Sequence, residues 1–159
     1  MRQPVKAAAI LGAVVVAVVA TLAVSVRWQV TPVLTGIRKF NRVVTNPGAL
    51  RTAGSDSSGT AVIHHVGRRS GRSYRTPVTA ERIGTGFVIG LPYGTTADWV
   101  RNVLASGGAL LETGGRQVMT RNAVVVPTGD VSAELPRAQR QALRLLGVSQ
   151  CLRLDVVTP

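Results

Sequence analysis

Four arginines, Arg68, Arg69, Arg72 and Arg75, fall within eight positions of the run from His64 to Val78, interrupted by Gly67, Ser70, Gly71 and Ser73. A guanidinium offers two parallel donors to a phosphate or carboxylate, glycine lets the backbone approach a ligand closely, and serine adds hydroxyl donors. Those residue types at that density describe a turn suited to a polyanionic small molecule. A solvated basic hairpin tip is the plainer reading of the same charges.

Thr60 to Val66 has the β-branched, apolar character of a strand and Thr76 to Arg82 reads as another, so the arginine turn should join two strands. On a strand His64 and His65 point to opposite faces, so at most one addresses a ligand, and a strand histidine satisfied by its neighbours is the plainer expectation for either. These two histidines and the distant Cys151 have no recognised metal-ligand spacing, and no metal is expected. No Gly-x-Ser-x-Gly elbow and no Cys/His partnership occurs, and only seven carboxylates are present. No catalytic side chain can be named from this inventory, so a bound cofactor must bring the reactivity.

Length and composition set the frame. The 159 residues, 45% hydrophobic, allow one compact domain plus an appendage. The 19 Lys and Arg against 7 Asp and Glu give a formal charge of +12, which favours anionic partners. Nucleic acid is disfavoured, because the aromatic content is 4% and only Trp28, Phe40, Tyr74, Phe87, Tyr93 and Trp99 could stack on bases. A single cysteine makes no internal disulfide, so a reducing cytoplasm is allowed.

Ala7 to Val26 is a run of twenty residues without a charge, long enough to span a bilayer core. A cleaved signal peptide ending near Ala23-Val24-Ser25 competes, but the apolar run exceeds the usual signal core of ~7–15 residues. Arg27, Arg38, Lys39 and Arg42 outnumber Arg2 and Lys6, which predicts a single-pass cell-membrane protein with its domain on the cytoplasmic side. Small residues at Ala9, Ala13, Ala17, Thr21 and Ser25 would let two such helices approach as a homodimer. Pro32 to Leu50 reads as an amphipathic helix and Arg51 to Gly59 as a polar linker.

Beyond the linker, Phe87 to Leu91 is a third expected strand, opening at Pro92-Tyr93-Gly94. A helix from Trp99 to Ala105, capped by Asp98 or Thr96, should close at Gly107-Gly108. Ala109 to Thr113 and Arg116 to Val126 form a hairpin about Gly114-Gly115, a type I′ pair. A second helix is expected over Ala133 to Leu146, with Leu135, Ala138, Ala142 and Leu145 or Leu146 on its apolar face. It should end at Gly147, and Leu152 to Val157 is a last strand. The divisions predicted are an anchor at 1–30, an amphipathic helix and linker at 31–59, and a β-rich α+β domain at 60–159.

Gly67-Arg68-Arg69-Ser70-Gly71, then Arg75-Thr76-Pro77-Val78, then Asp98-Trp99-Val100-Arg101-Asn102, taken in that order, resembles the deazaflavin-dependent nitroreductase family. The resemblance covers roughly Phe40 to Val157. It implies a split β-barrel of about six antiparallel strands, FMN-binding-like, that binds coenzyme F420, with FMN the alternative because split barrels host both. Arg69, Ser70 and Arg75 would hold the phosphate and acidic tail, in a turn that includes Arg68 and Gly71. Thr76, Pro77 and Val78 would bring main-chain groups against the deazaflavin ring. Pro92, Tyr93 and Gly94 would line its other edge, with Tyr93 on the substrate side, and Trp99 and Asn102 would complete the pocket near the ribityl chain.

The best-known members of that family carry a tyrosine-rich segment near the C-terminus, whereas Arg137 to Leu152 has no aromatic residue here. That departure, with the membrane segment, points from nitroaromatics toward a lipophilic acceptor such as a quinone or unsaturated lipid. A non-catalytic membrane-surface protein binding anionic lipid or fatty acid is the competing expectation.

Overall fold

The computed structural model describes residues 50–55 and 58–157. The expected span at 7–26 and almost all of the amphipathic helix expected over 32–50 lie outside the described residues. Among the described residues no helix is long and apolar enough to cross a membrane.

The strands are β1 Ala61–Val66, β2 Ser73–Val78, β3 Ala80–Ile83, β4 Gly86–Gly90, β5 Leu110–Thr113, β6 Arg116–Pro127 and β7 Gln150–Val156. Helix α1 spans Asp98–Ser106, α2 Thr128–Val131 and α3 Arg137–Leu145, with a 3-10 turn at Ser132–Glu134 between the last two. The described residues are thus mainly antiparallel sheet with few helices, their seven strands ordered β2-β1-β5-β6-β7-β4-β3.

The two outer strands, β2 and β3, are one chain run separated only by Thr79. Val78 pairs with Ala61 of β1, whereas Ala80 pairs with Ile89 of β4. The single strand expected from Thr76 to Arg82 is therefore two, changing partner across one residue. That junction ties one end of the sheet to the other, as closure of a barrel requires. Pro77 is tolerated because β2 is an outer strand, paired only with β1, where a missing N–H costs no second ladder bond.

Alternation sends Ala61, Ile63, Val78, Phe87, Ile89, Leu111, Leu152 and Leu154 to one face, where they pack with Val100 and Val103 of α1. Their even-numbered or odd-numbered neighbours, Val88 and Cys151, face the other side of the sheet and pack with Val131, Leu135, Leu143 and Val148. Ile63, Ile89, Leu111, Leu152 and Leu154 are fully buried. Each such side chain contributes about 1.5–3 kcal/mol relative to remaining exposed.

Strand β6 keeps its inward alternation only because it carries a bulge. Arg121 pairs with Asp155 but Val124 with Arg153, so three steps on β6 match two on β7. Asn122 takes the left-handed conformation (φ 54°) there, and inward positions pass from Val118 and Thr120 to Ala123 and Val125. The freed Ala123 N–H donates to Gly107 O at 3.1 Å, fastening the end of α1 to β6.

Two helix expectations need correction. The helix expected over Ala133 to Leu146 is interrupted, because Pro136 disfavours the α conformation in Leu135, which is extended (φ −79°, ψ 147°). Helix α3 starts only after Pro136, and its expected apolar face turns out wrong: Leu143 is buried while Ala138 and Leu145 are exposed. At α1 the N-cap position falls at Ala97, between the expected Thr96 and Asp98, and alanine has no side chain with which to cap. The glycine stops hold: Gly107 (φ 72°) ends α1, Gly147 (φ 64°) follows α3, and Gly114 and Gly115 (φ 54° and 66°) both take the positive φ of a type I′ turn.

Part of the expected polar linker is also fastened. Gly54 accepts from Gly115 N–H at 2.7 Å and donates to Thr60 O at 2.7 Å.

Burial pushes the Cys151 thiol above its ordinary pKa of 9.0, outweighing the contact with Thr128 that lowers it. A raised folded-state pKa favours the protonated form, so this contribution to stability is intact below pH 9.0 and is lost as pH rises toward the folded-state value. A maleimide should leave native Cys151 unmodified and label it fully in denaturant. Stoichiometric labelling of the native chain, read by intact mass, would show the thiol to be accessible.

Candidate functional site

The arginine turn occupies Gly67 to Arg72 between β1 and β2, with Val66 opposite Ser73. It is shorter than expected, because the second strand starts three residues before Thr76 and takes Arg75 into the ladder opposite His64. Two backbone bonds shape it: Gly67 N–H donates to Arg72 O at 2.8 Å, and Gly71 N–H to Gly67 O at 2.8 Å. Gly71 takes φ 64°, and a Cβ on Gly67 would run into the Ser70 hydroxyl and the Tyr74 ring. Only glycine fits that bend.

The turn is held to α1 through Asn102. Asn102 Oδ1 accepts from the Arg68 backbone N–H at 3.1 Å and from Arg68 Nη1 at 3.0 Å. With its oxygen so engaged, the amide nitrogen is the end that meets His65 Nδ1, at 3.1 Å. His65 Nδ1 must then accept, which places the ring proton on Nε2, donating to Thr76 Oγ1 at 3.1 Å. Tyr74 stacks on the same imidazole, ring centroids 5.6 Å apart. A chain of hydrogen bonds thus runs from Arg68 through Asn102 and His65 to Thr76, linking turn, helix and both strands.

Arg68 is consequently committed to α1; its Nη1 also lies 3.3 Å from Asp98 Oδ1. Asn102 is buried, 5% exposed, with its polar atoms turned to the turn and to His65. Trp99, one turn earlier on α1, is half-buried against the main core. Arg75 lies on the opposite strand face from Thr76 and sits 3.6 Å from Glu112 Oε2, the oxygen that also meets His64 Nε2 at 3.0 Å. Both histidines are satisfied by neighbours, as the plainer expectation held.

Arg69, Ser70, Gly71 and Arg72 are exposed at the tip. Ser70 Oγ lies 3.4 Å from both the Tyr74 hydroxyl and the Arg72 N–H. Thr76 and Pro77 are half-buried and Val78 is buried. Pro92, Tyr93 and Gly94 form a half-buried turn after β4, closed by Gly94 N–H to Leu91 O at 2.9 Å.

The donors at the tip are thus Arg69, Arg72 and Ser70, while Arg68 positions the turn and Arg75 stands by a carboxylate. Sequence reasoning missed His65 as the buried link, although alternation from the inward Ile63 already sends it inward. It also left Arg72 out of the ligand-holding set and did not foresee that Asp98 and Glu112 would meet arginines. Those pairings join residues 30 or more apart in the chain, and no local pattern encodes them.

No protein-family model and no curated protein matches the chain. Among solved structures it is similar to an F420-H2 dependent reductase (FDR-A), with 13% identity and a TM-score of 0.40 over 61% of this chain and 94% of that one. It is also similar to a protein of unknown function from Agrobacterium tumefaciens str. C58. There the identity is 17% and the TM-score 0.45, over 68% of this chain and 53% of that one.

Proposed function

We propose that the chain is an F420-dependent oxidoreductase whose arginine turn holds the anionic end of the deazaflavin cofactor. The observation that carries the reading is a basic turn fixed in place from behind by Asn102 and His65, leaving Arg69, Ser70 and Arg72 at its exposed tip. A donor set of guanidinium and hydroxyl groups fits phosphate and carboxylate oxygens. The join at Thr79 supports a split-barrel architecture around that turn.

In this reading Arg69 and Arg72 bind the tail, Ser70 adds a donor, and Thr76 to Val78 with Pro92 to Gly94 flank the ring. The bound deazaflavin supplies hydride transfer, and the protein orients the ring and limits access of water. The acceptor is a lipophilic molecule, reached from a bilayer in which 7–26 anchors a single-pass protein with its domain in the cytoplasm.

Titrating the full chain with F420, followed by deazaflavin fluorescence, tests this. Arg69→Ala and Arg72→Ala should each weaken binding by about tenfold, the lower range for a hydrogen bond to a charged partner. Affinity should also fall as salt rises. Arg75→Ala should do less, since Glu112 already neutralises that guanidinium in part. Absence of binding at micromolar F420 overturns the reading, and displacement of F420 by FMN transfers it to the flavin.

A further inference from the structure

A cavity of about 300 Å³ opens beside α3, on the face of β4 and β7 opposite the one packed by α1. Its floor is apolar, formed by Leu135, Leu143 and Val148, and its wall carries Arg137, Arg140 and Arg144. The three arginines are spaced by three and four, so they share one side of the helix. None of the residues lining the cavity is acidic.

Beyond that basic wall Leu145 is 77% exposed and Leu146 39%. Leu145 lies about 200° around the helix from buried Leu143, so it points away from the sheet. An inorganic anion would account for the guanidinium groups and leave the leucines and the apolar floor unexplained. An anionic bilayer, offering phosphate headgroups and apolar chains side by side, accounts for the arginines and the exposed leucines together.

We propose that α3 docks the domain onto an anionic bilayer, with Arg137, Arg140 and Arg144 taking the phosphate of an acidic phospholipid and Leu145 and Leu146 entering the acyl boundary. Cationic helices with an apolar edge bind interfaces in this way, through buried apolar area and attraction to acidic headgroups. This surface is separate from the arginine turn, and its assignment does not rest on the deazaflavin reading.

The test uses the full chain bearing Leu145→Cys coupled to a polarity-sensitive fluorophore, buried Cys151 remaining unlabelled. The protein is incorporated into vesicles of phosphatidylcholine alone, or of phosphatidylcholine mixed with phosphatidylglycerol, each with a spin-labelled lipid quencher. A span at 7–26 would enter both kinds of vesicle alike, and the probe at position 145 together with the arginine replacements separates α3 from the other basic segments, the arginine turn and residues 38–42.

Quenching and a blue shift are expected only with phosphatidylglycerol. Replacing all three arginines by glutamine should reduce the docking equilibrium by roughly 100-fold, given the contribution of each basic residue near an acidic surface. Arg140→Glu alone should act in the same direction, and unchanged thermal melting separates lost docking from unfolding. Equal quenching in both vesicles, quenching that survives the triple change, or its abolition by inorganic phosphate at constant ionic strength overturns the proposal.

Discussion

Asn102→Ala is expected to destabilise the domain by about 2–3 kcal/mol, because one small, buried side chain serves three groups. Its oxygen accepts from the Arg68 N–H and guanidinium, and its nitrogen donates to His65 Nδ1. Alanine removes all three bonds, and water has little access to replace them beside a residue only 5% exposed. Each buried donor or acceptor that loses its partner costs about 1–3 kcal/mol, and partial rearrangement of Arg68 toward Asp98 offsets some of the sum. That exposed pair offsets little.

Urea unfolding should show the midpoint lowered with an unchanged slope. The same variant should bind F420 less well than the parent, since the turn loses its fixed orientation. A stability change within about 0.5 kcal/mol, the range of an ordinary surface substitution, would show that Asn102 does not hold the turn.

Gly108→Ala should cost still more, about 3 kcal/mol or above, and lower the melting temperature by roughly 10–20 °C. A Cβ at this position would overlap the Thr120 carbonyl oxygen and come within 2.9 Å of Arg121 Cα, both backbone atoms of β6. That backbone cannot yield easily. Thr120 N–H donates to Ala109 O at 2.9 Å, and Thr120 Oγ1 donates to the same oxygen at 2.7 Å while accepting from Ala109 N–H at 3.2 Å.

Gly107→Ala next door provides the comparison. Its Cβ would meet nothing within 4 Å, so only the left-handed backbone (φ 72°) opposes it, at a cost of about 1–2 kcal/mol. If calorimetry ranks Gly107→Ala as the more damaging change, the close approach of α1 to β6 is not what requires glycine at 108.

Local chemistry made much of this architecture legible. The diglycine at 114 and 115, the stops at Gly107 and Gly147 and the strand alternation all lie within a few residues of what they determine. Pro136 was equally local, and the apolar spacing of Leu135, Ala138 and Ala142 concealed its effect on Leu135. The break at Thr79 and the bulge at Asn122 were not legible in this way, because both are set by which strand lies alongside. The basic turn could be recognised from composition, but the division of labour among its arginines could not. Helix α1 claims Arg68 through residues 30 or more positions away, and Glu112 of β5 stands beside Arg75.

The position of β7 bears on how the chain matures. It lies between β6 and β4, and Gly86 of β4, paired with Ile83 of β3 on one side, finds its other partner at Asp155, on the last strand described. Until that segment leaves the ribosome, β3 and β4 have no ladder connecting them to the rest of the sheet, and the unfinished edges of β4 and β6 stay open. Contacts so distant in sequence form slowly and late. The nascent domain is therefore most vulnerable to aggregation and proteolysis until β7 has emerged and paired.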